Sequence, residues 1–276
     1  MGRLAVIGVE DADQADAATG ALAALGATHA ERRAAGAGHT LISGHFDAEE
    51  VARSAVAALR ARGWAAAQRP ADDEPALFAW RNRTQPVSIG QGRLMICLPW
   101  AEWDRGAGPV VEIDPGGAFG AGAHPTTQLL LEAVAEGLQG GETVLDVGCG
   151  SGVLAVAAIR LGAASATAID IDPAAVLATR ANAERNRMTP NLTALATPLH
   201  DLPGAFDVVL ANIGKDVLVE MSLDLRRLLK PGGWLGLSGF SPAQVSTLAA
   251  QFRELRVLAT PQLDDWSALL ALQPQG

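Results

Sequence analysis

The sequence predicts an α/β protein: an open, mostly parallel sheet of Rossmann-like type that ends in an antiparallel last strand, preceded by a smaller α+β unit. Three observations carry that expectation. Residues 142–173, ETVLDVGCGSGVLAVAAIRLGAASATAIDIDP, run as strand, glycine turn, helix and second strand. Residues 255–259 and 266–272 read as strands separated only by 260–265, a gap too short for a crossover helix, so the two must be antiparallel. Residues 1–69 repeat strand, helix, strand twice, the order of a ferredoxin-like sandwich.

Within that first unit, 4–9 reads as a strand, 12–25 as an alanine-rich helix closed by Gly26, and 27–34 as a second strand ahead of a Gly36-Ala37-Gly38 turn. A third strand at 39–45 leads to a helix that Asp47 is expected to cap and Gly63 to close, and 64–68 is the fourth strand. PADDEP at 70–75 is polar and bounded by prolines, which marks 70–77 as a linker to a second domain at 78–276. Past it, Phe78, Trp80 and Trp100 are expected in core or hinge positions around a strand at 93–98. Residues 112–127, EIDPGGAFGAGAHPTT, form a glycine-rich loop that enters an apolar helix at 128–138. Pro125 suits the first helical turn, and the Thr126 and Thr127 hydroxyls sit where free N–H groups point at whatever docks on the helix end.

The stretch 142–173 carries the chemistry. Thr143–Val147 is a short apolar run suited to a buried parallel strand, followed by Gly148, Gly150 and Gly152 and an apolar helical face over 153–161. Asp170 ends the next strand, 166–171, and lies 22 residues beyond Gly148, the offset at which a carboxylate reaches a nucleotide ribose. A dinucleotide fingerprint would need glycine at 153, where this chain has Val153. Instead it places Asp146 two residues before the first glycine, where a carboxylate can hold the loop and receive a ligand ammonium. Asp172-Pro173 reads as the cap and first turn of the next helix. Further on, 191–196 and 206–211 are strands, and Asn212 follows the second of them at the edge where open α/β sheets bind ligands. Residues 217–229 read as an amphipathic helix ended by Lys230-Pro231-Gly232-Gly233, with a strand at 234–239 and a helix at 241–250.

At 276 residues, nearly half of them hydrophobic, the chain can bury one large or two modest cores. A formal charge of −9 without any Lys/Arg-dense run argues against direct nucleic-acid binding. Cys97 and Cys149 have no metal or redox spacing and are expected to be reduced and buried. MGRLAVIGVEDADQ is not expected to act as a signal peptide, and no apolar run in the sequence is long enough to suggest a membrane-spanning helix. The expectation is a cytoplasmic monomer without metal.

The alternating glycines behind Asp146 resemble motif I of the seven-strand S-adenosylmethionine (SAM) methyltransferases. Taken with AFGAGAHPTT, AIDIDP, DVVLANI and LSGF, they resemble the PrmA family over about residues 78–272. That resemblance implies SAM as cofactor and methyl transfer to amino groups of a ribosomal large-subunit protein, L-eleven, docked by the ferredoxin-like domain. It also implies that Thr126, Thr127, Asp146, Gly148, Gly150, Asp170 and Asn212 line the cofactor site, with Asn212 orienting the acceptor amine. His124 is a second catalytic candidate by its place in the motif, a packing role at the helix entry being the alternative. The chain departs from the family where Ala121 and Ala123 replace hydroxyl residues and where Gly214-Lys215 follows Asn212-Ile213. Those departures bear on the acceptor. A metabolite, a peptide or another protein is the rival substrate, and a non-catalytic SAM-binding module is the rival function.

Overall fold

The computed structural model describes residues 3–9, 12–36, 39–62, 64, 66–70, 86–99, 101, 108–115 and 120–275. The first unit comprises β1 (Arg3–Val9), α1 (Ala12–Ala24), β2 (His29–Gly36), β3 (His39–Phe46), α2 (Glu49–Ala61) and β4 (Ala66–Pro70). Its strands form one antiparallel sheet of order β2-β3-β1-β4. Ala52, Ala55, Val56 and Leu59 follow helical spacing and make the buried stripe of α2, which joins Leu22, Ile42 and Phe46 in one core. The expected Asp47 cap is not formed. Ala48 occupies the N-cap without a side-chain bond, and Glu49 and Glu50 instead place negative charge on the first turn, where the helix dipole favours it. The expected linker lies outside the described residues apart from Pro70, which ends β4.

Next come β5 (Val87–Ile89), β6 (Leu94–Cys97) and β7 (Val110–Glu112), a small sheet of order β5-β6-β7 with β6 and β7 parallel. The main sheet follows: α3 (Pro125–Gly137), β8 (Thr143–Val147), α4 (Val153–Arg160), β9 (Ser165–Ile169), α5 (Pro173–Arg185), β10 (Leu192–Leu195) and β11 (Phe206–Asn212). It is completed by α6 (Lys215–Glu220), α7 (Ser222–Arg227), β12 (Leu229–Phe240), α8 (Val245–Gln251), β13 (Arg256–Ala259), β14 (Gln262–Leu263) and β15 (Trp266–Leu272). Strand order is β10-β9-β8-β11-β12-β15-β13, with β14 paired to β15. Pairing is parallel from β10 to β12, and β15 runs antiparallel to both β12 and β13.

Successive side chains of a strand face opposite sides, and the core divides accordingly. Val144, Val208 and Leu210 pack with Leu130, Val134 and Val156 of α3 and α4. Leu145, Val209 and Ala211 pack on the other side with Leu218, Leu225, Leu248 and Phe252. Two expectations fail here. The single helix at 217–229 is two short helices that meet at Met221, and Lys230 to Gly233 belong to β12 instead of ending a helix. The Arg227 guanidinium donates to the carbonyls of Leu199 and Leu202, while Lys230 Nζ reaches Asp207 Oδ2 at 2.9 Å and Thr143 Oγ1 at 3.2 Å. These long-range bonds turn the chain into the sheet one turn earlier than local glycine and proline signals indicate.

Candidate active site

After β8 the chain winds outward to β9 and β10, then returns to place β11 on the other side of β8. Ligands of open α/β sheets bind at such a reversal, beyond the carboxyl ends of the strands. A cleft of about 490 Å³ opens there, walled by Gly148, Gly150, Asp170, Asp172 and Asn212 and by the apolar Ile171, Val217 and Met221. A narrow annex behind it is bounded by Gly120, Thr127, Asp146, Gly148, Gly150 and Asn212.

The turn after β8 requires glycine on steric grounds. Gly148, Gly150 and Gly152 all have positive φ (68°, 54° and 77°), and a Cβ at Gly148 would lie 2.8 Å from Ile213 Cδ1, one at Gly152 2.6 Å from Thr179 Cγ2. The N–H groups of Gly148 and Cys149 both donate to the Ile169 carbonyl, which ties the turn to β9. Gly150 N–H donates to Asp170 Oδ2 at 3.0 Å and Asp172 N–H to Asp170 Oδ1 at 2.9 Å. Asp170 is thus held by the backbone on both oxygens, and a carboxylate retains further lone pairs for a ligand. Asp172 caps α5 by accepting from Ala174 N–H, with Pro173 in the first turn.

Asp146 is 1% exposed and accepts a bond from Ala155 N–H at 3.2 Å. Burial pushes its pKa up to about 7; the Ala155 bond opposes the rise and the Asp170 charge adds to it. A cation placed beside it would restore its charge. Cys149 next to it is buried, and burial raises its thiol pKa well above the usual range, so it is inert as a nucleophile. Across the annex, Asn212 Nδ2 donates to Thr127 Oγ1 at 3.1 Å. With Nδ2 turned to Thr127, Oδ1 is the acceptor on the other side of the amide.

The structure therefore brings Thr127, Asp146, Gly148, Gly150, Asp170 and Asn212 to one place. Thr126 and His124 are not on its walls. His124 is the N-cap of α3: its Nδ1 lies 2.7 Å from Thr126 Oγ1 and 3.4 Å from Thr126 N, and its ring packs edge-on against Trp266. Burial lowers its pKa. The capping also explains why α3 begins at Pro125 and not at the apolar run. Sequence reasoning missed Ile171, Val217 and Met221, which supply the apolar wall; Ile171, 76% exposed, lies at the cleft with its side chain open to solvent or to a bound ligand. No group of residues able to hold a metal occurs among the described residues, nor any helix long and apolar enough to cross a membrane.

The family model "Ribosomal protein L11 methyltransferase (PrmA)" matches residues 12–273. The ribosomal protein L11 methyltransferase of Citrifermentans bemidjiense is 44% identical over 202 residues, 71% of this chain and 66% of the relative. That of Haemophilus ducreyi is 39% identical over 223 residues, 78% of this chain and 75% of the relative. The chain spans about two thirds of the length of the first of these relatives. Among solved structures, the ribosomal protein L11 methylase of Lactobacillus delbrueckii subsp. bulgaricus superposes with a TM-score of 0.62 at 29% identity, covering 66% of this chain and 95% of that one.

Proposed function

The chain belongs to the ribosomal protein L11 methyltransferase (PrmA) family, and from that premise we propose that it transfers methyl groups from SAM to amino groups of ribosomal protein L11. The observation that most supports this reading is the convergence of two carboxylates at different depths with one amide held by Thr127. The residues present suit SAM. Asp170, at the cleft wall, can accept from a ribose diol; the apolar face of Ile171, Val217 and Met221 suits a flat heterocycle; and Asp146, buried at the annex, calls for an ammonium.

When bound, SAM supplies a methyl group on a sulfonium that is lost by in-line displacement, so catalysis is mostly a matter of placement. Asp170 would hold one end of the cofactor and Asp146, ionised by an ammonium beside it, the other. Gly148 and Gly150 allow the close approach between them. Thr127 holds Asn212 so that Oδ1 can accept a hydrogen bond from the acceptor amine and align its lone pair. The amine sheds its proton to water, and His124 serves as a helix cap, not as a base. In this reading the unit before residue 70 is a ferredoxin-like docking domain for L11, and the enzyme acts as a cytoplasmic monomer without touching nucleic acid. The test is peptide mapping of L11 from the same organism after incubation with the enzyme and SAM. Methyl groups on lysine side chains or the α-amine are expected. Methyl esters, or no incorporation while SAM binds, would overturn the reading.

A further inference from the structure

Helix α5 and its C-cap present two asparagines one turn apart, Asn182 within the helix and Asn186 at the cap, both buried. Four residues of helix rise about 6 Å and two residues of strand about 6.7 Å, so amides at i and i+4 can meet alternate peptide groups of an extended segment. They do so here. Ile113 N–H bonds to Cys97 on β6, which leaves Glu112 and Asp114 pointing to the free edge of β7. Asn186 accepts from Glu112 N–H at 3.0 Å and donates to Glu112 O at 2.7 Å; Asn182 accepts from Asp114 N–H at 2.9 Å and donates to Asp114 O at 2.8 Å. The two side chains replace a missing strand.

Asn182 does one thing more. Its second amide hydrogen donates to Ser151 O at 2.9 Å, within the glycine turn, while Ser151 Oγ donates to Gly120 O at 2.5 Å. Two linked bonds result: Asn182 holds Ser151 of the glycine turn, and Ser151 in turn holds Gly120. Gly120 bounds the annex with Asp146 and Asn212. Asn182 touches neither the cleft nor the annex.

We propose that Asn182 is a positioning residue that ties Asp114 to the glycine turn, holds Ser151 where it bonds Gly120 at the wall of the annex that takes the SAM amino-acid tail, and so controls SAM affinity from a distance. This inference rests on the reading that the cleft and annex hold SAM. Removing the amide takes the Asn182 partner from Asp114 N–H and from the Asp114 and Ser151 carbonyls, and Ser151 is no longer fixed from α5 where it bonds Gly120. Asn182→Leu should raise the Kd for SAM roughly tenfold, with far-UV circular dichroism unchanged and kcat at saturating SAM reduced less than twofold to threefold. Asn182→Asp supplies the sharper readout. One carboxylate oxygen would keep the Asp114 N–H bond, which favours the charged form, while burial and the Asp114 and Ser151 carbonyls facing the other oxygen outweigh it and raise the pKa; protonated, the group donates to one of those carbonyls and restores part of the tie to Ser151. The ratio of variant to wild-type Kd, measured by titration calorimetry with SAM, should therefore be large at pH 8 and shrink toward one at pH 6, while the Asn182→Leu ratio stays flat. If Asn182→Leu does not fold, the Asn182→Asp profile decides alone. Ratios near one for folded Asn182→Leu, or a pH-independent ratio for Asn182→Asp, overturn the inference. A wild-type chain that does not bind SAM overturns the function reading instead.

Discussion

Asp146→Asn should make the SAM-free protein more stable at pH 8 and a poorer SAM binder. The Asp146 pKa of about 7 against an ordinary 3.8 amounts to roughly three units, or about 4 kcal/mol that the buried charge costs the fold at high pH. Asparagine removes that charge and keeps an oxygen for Ala155 N–H, but its NH₂ needs a partner, an opposing cost of about 1–3 kcal/mol. A net gain of about 1–3 kcal/mol remains, a rise in Tm of roughly 2–10 °C for a chain of this size. The sign with pH is fixed by the direction of the shift. A raised folded-state pKa means the stability associated with the protonated acid is present below pH 3.8 and lost as pH rises through 7, so the variant's advantage is full above 7 and roughly 2–3 kcal/mol smaller at pH 5. Thermal unfolding of both proteins at pH 5 and 8, without cofactor, measures this directly. A lower Tm for the variant at pH 8, or an equal gain at both pH values, would refute the reasoning. In calorimetry with SAM, the same substitution should weaken binding at least tenfold, because an ammonium loses its charge partner.

Other consequences can be checked with the same tools. Asp170→Ala should weaken SAM binding roughly tenfold or more, and Gly148→Val should abolish it, since φ is 68° and a Cβ would press on Ile213. Asn212→Ala should reduce kcat roughly tenfold or more while changing the Kd for SAM by less than threefold, as read by single-turnover assay beside calorimetry. Asp207 is pushed up by burial, but bonds from Thr143 N–H, the Thr143 hydroxyl and Lys230 bring its pKa down to about 2. Its contribution is therefore present above pH 3.8 and lost as pH falls toward 2; an acid titration followed by circular dichroism should show Asp207→Asn less sensitive than wild type in that window.

What could be read from the sequence and what could not divide along local and long-range lines. Thr143–Val147 and Trp266–Leu272 were legible to the residue because both are apolar runs between turn signals, and the six residues between the last strands left no room for a crossover. Gly148, Gly150 and Asp170 were legible because the turn's steric demand and the offset of the acid are written in the chain. The placement of β7 was not, because three residues carry no periodicity and its partners, Asn182 and Asn186, lie some seventy positions away. Nor was the apolar wall: Ile171, Val217 and Met221 are ordinary residues until α6 and the β9 end are folded against each other. His124 was ambiguous for a local reason, since a His-Pro-Thr-Thr run reads equally as a catalytic motif and as a capped helix start, and only the geometry to Thr126 and Trp266 separates the two.

The measurement that tests the central claim most directly is the intact mass of ribosomal protein L11 from the same organism after incubation with the wild-type chain or Asp170→Ala, with and without SAM. With SAM near the wild-type Kd and the reaction stopped early, a mass gain in whole methyl steps is expected with the wild-type chain and SAM together, and a much smaller one with Asp170→Ala. An unchanged mass with SAM demonstrably bound would contradict the acceptor assignment, and an equal gain with Asp170→Ala would contradict the site.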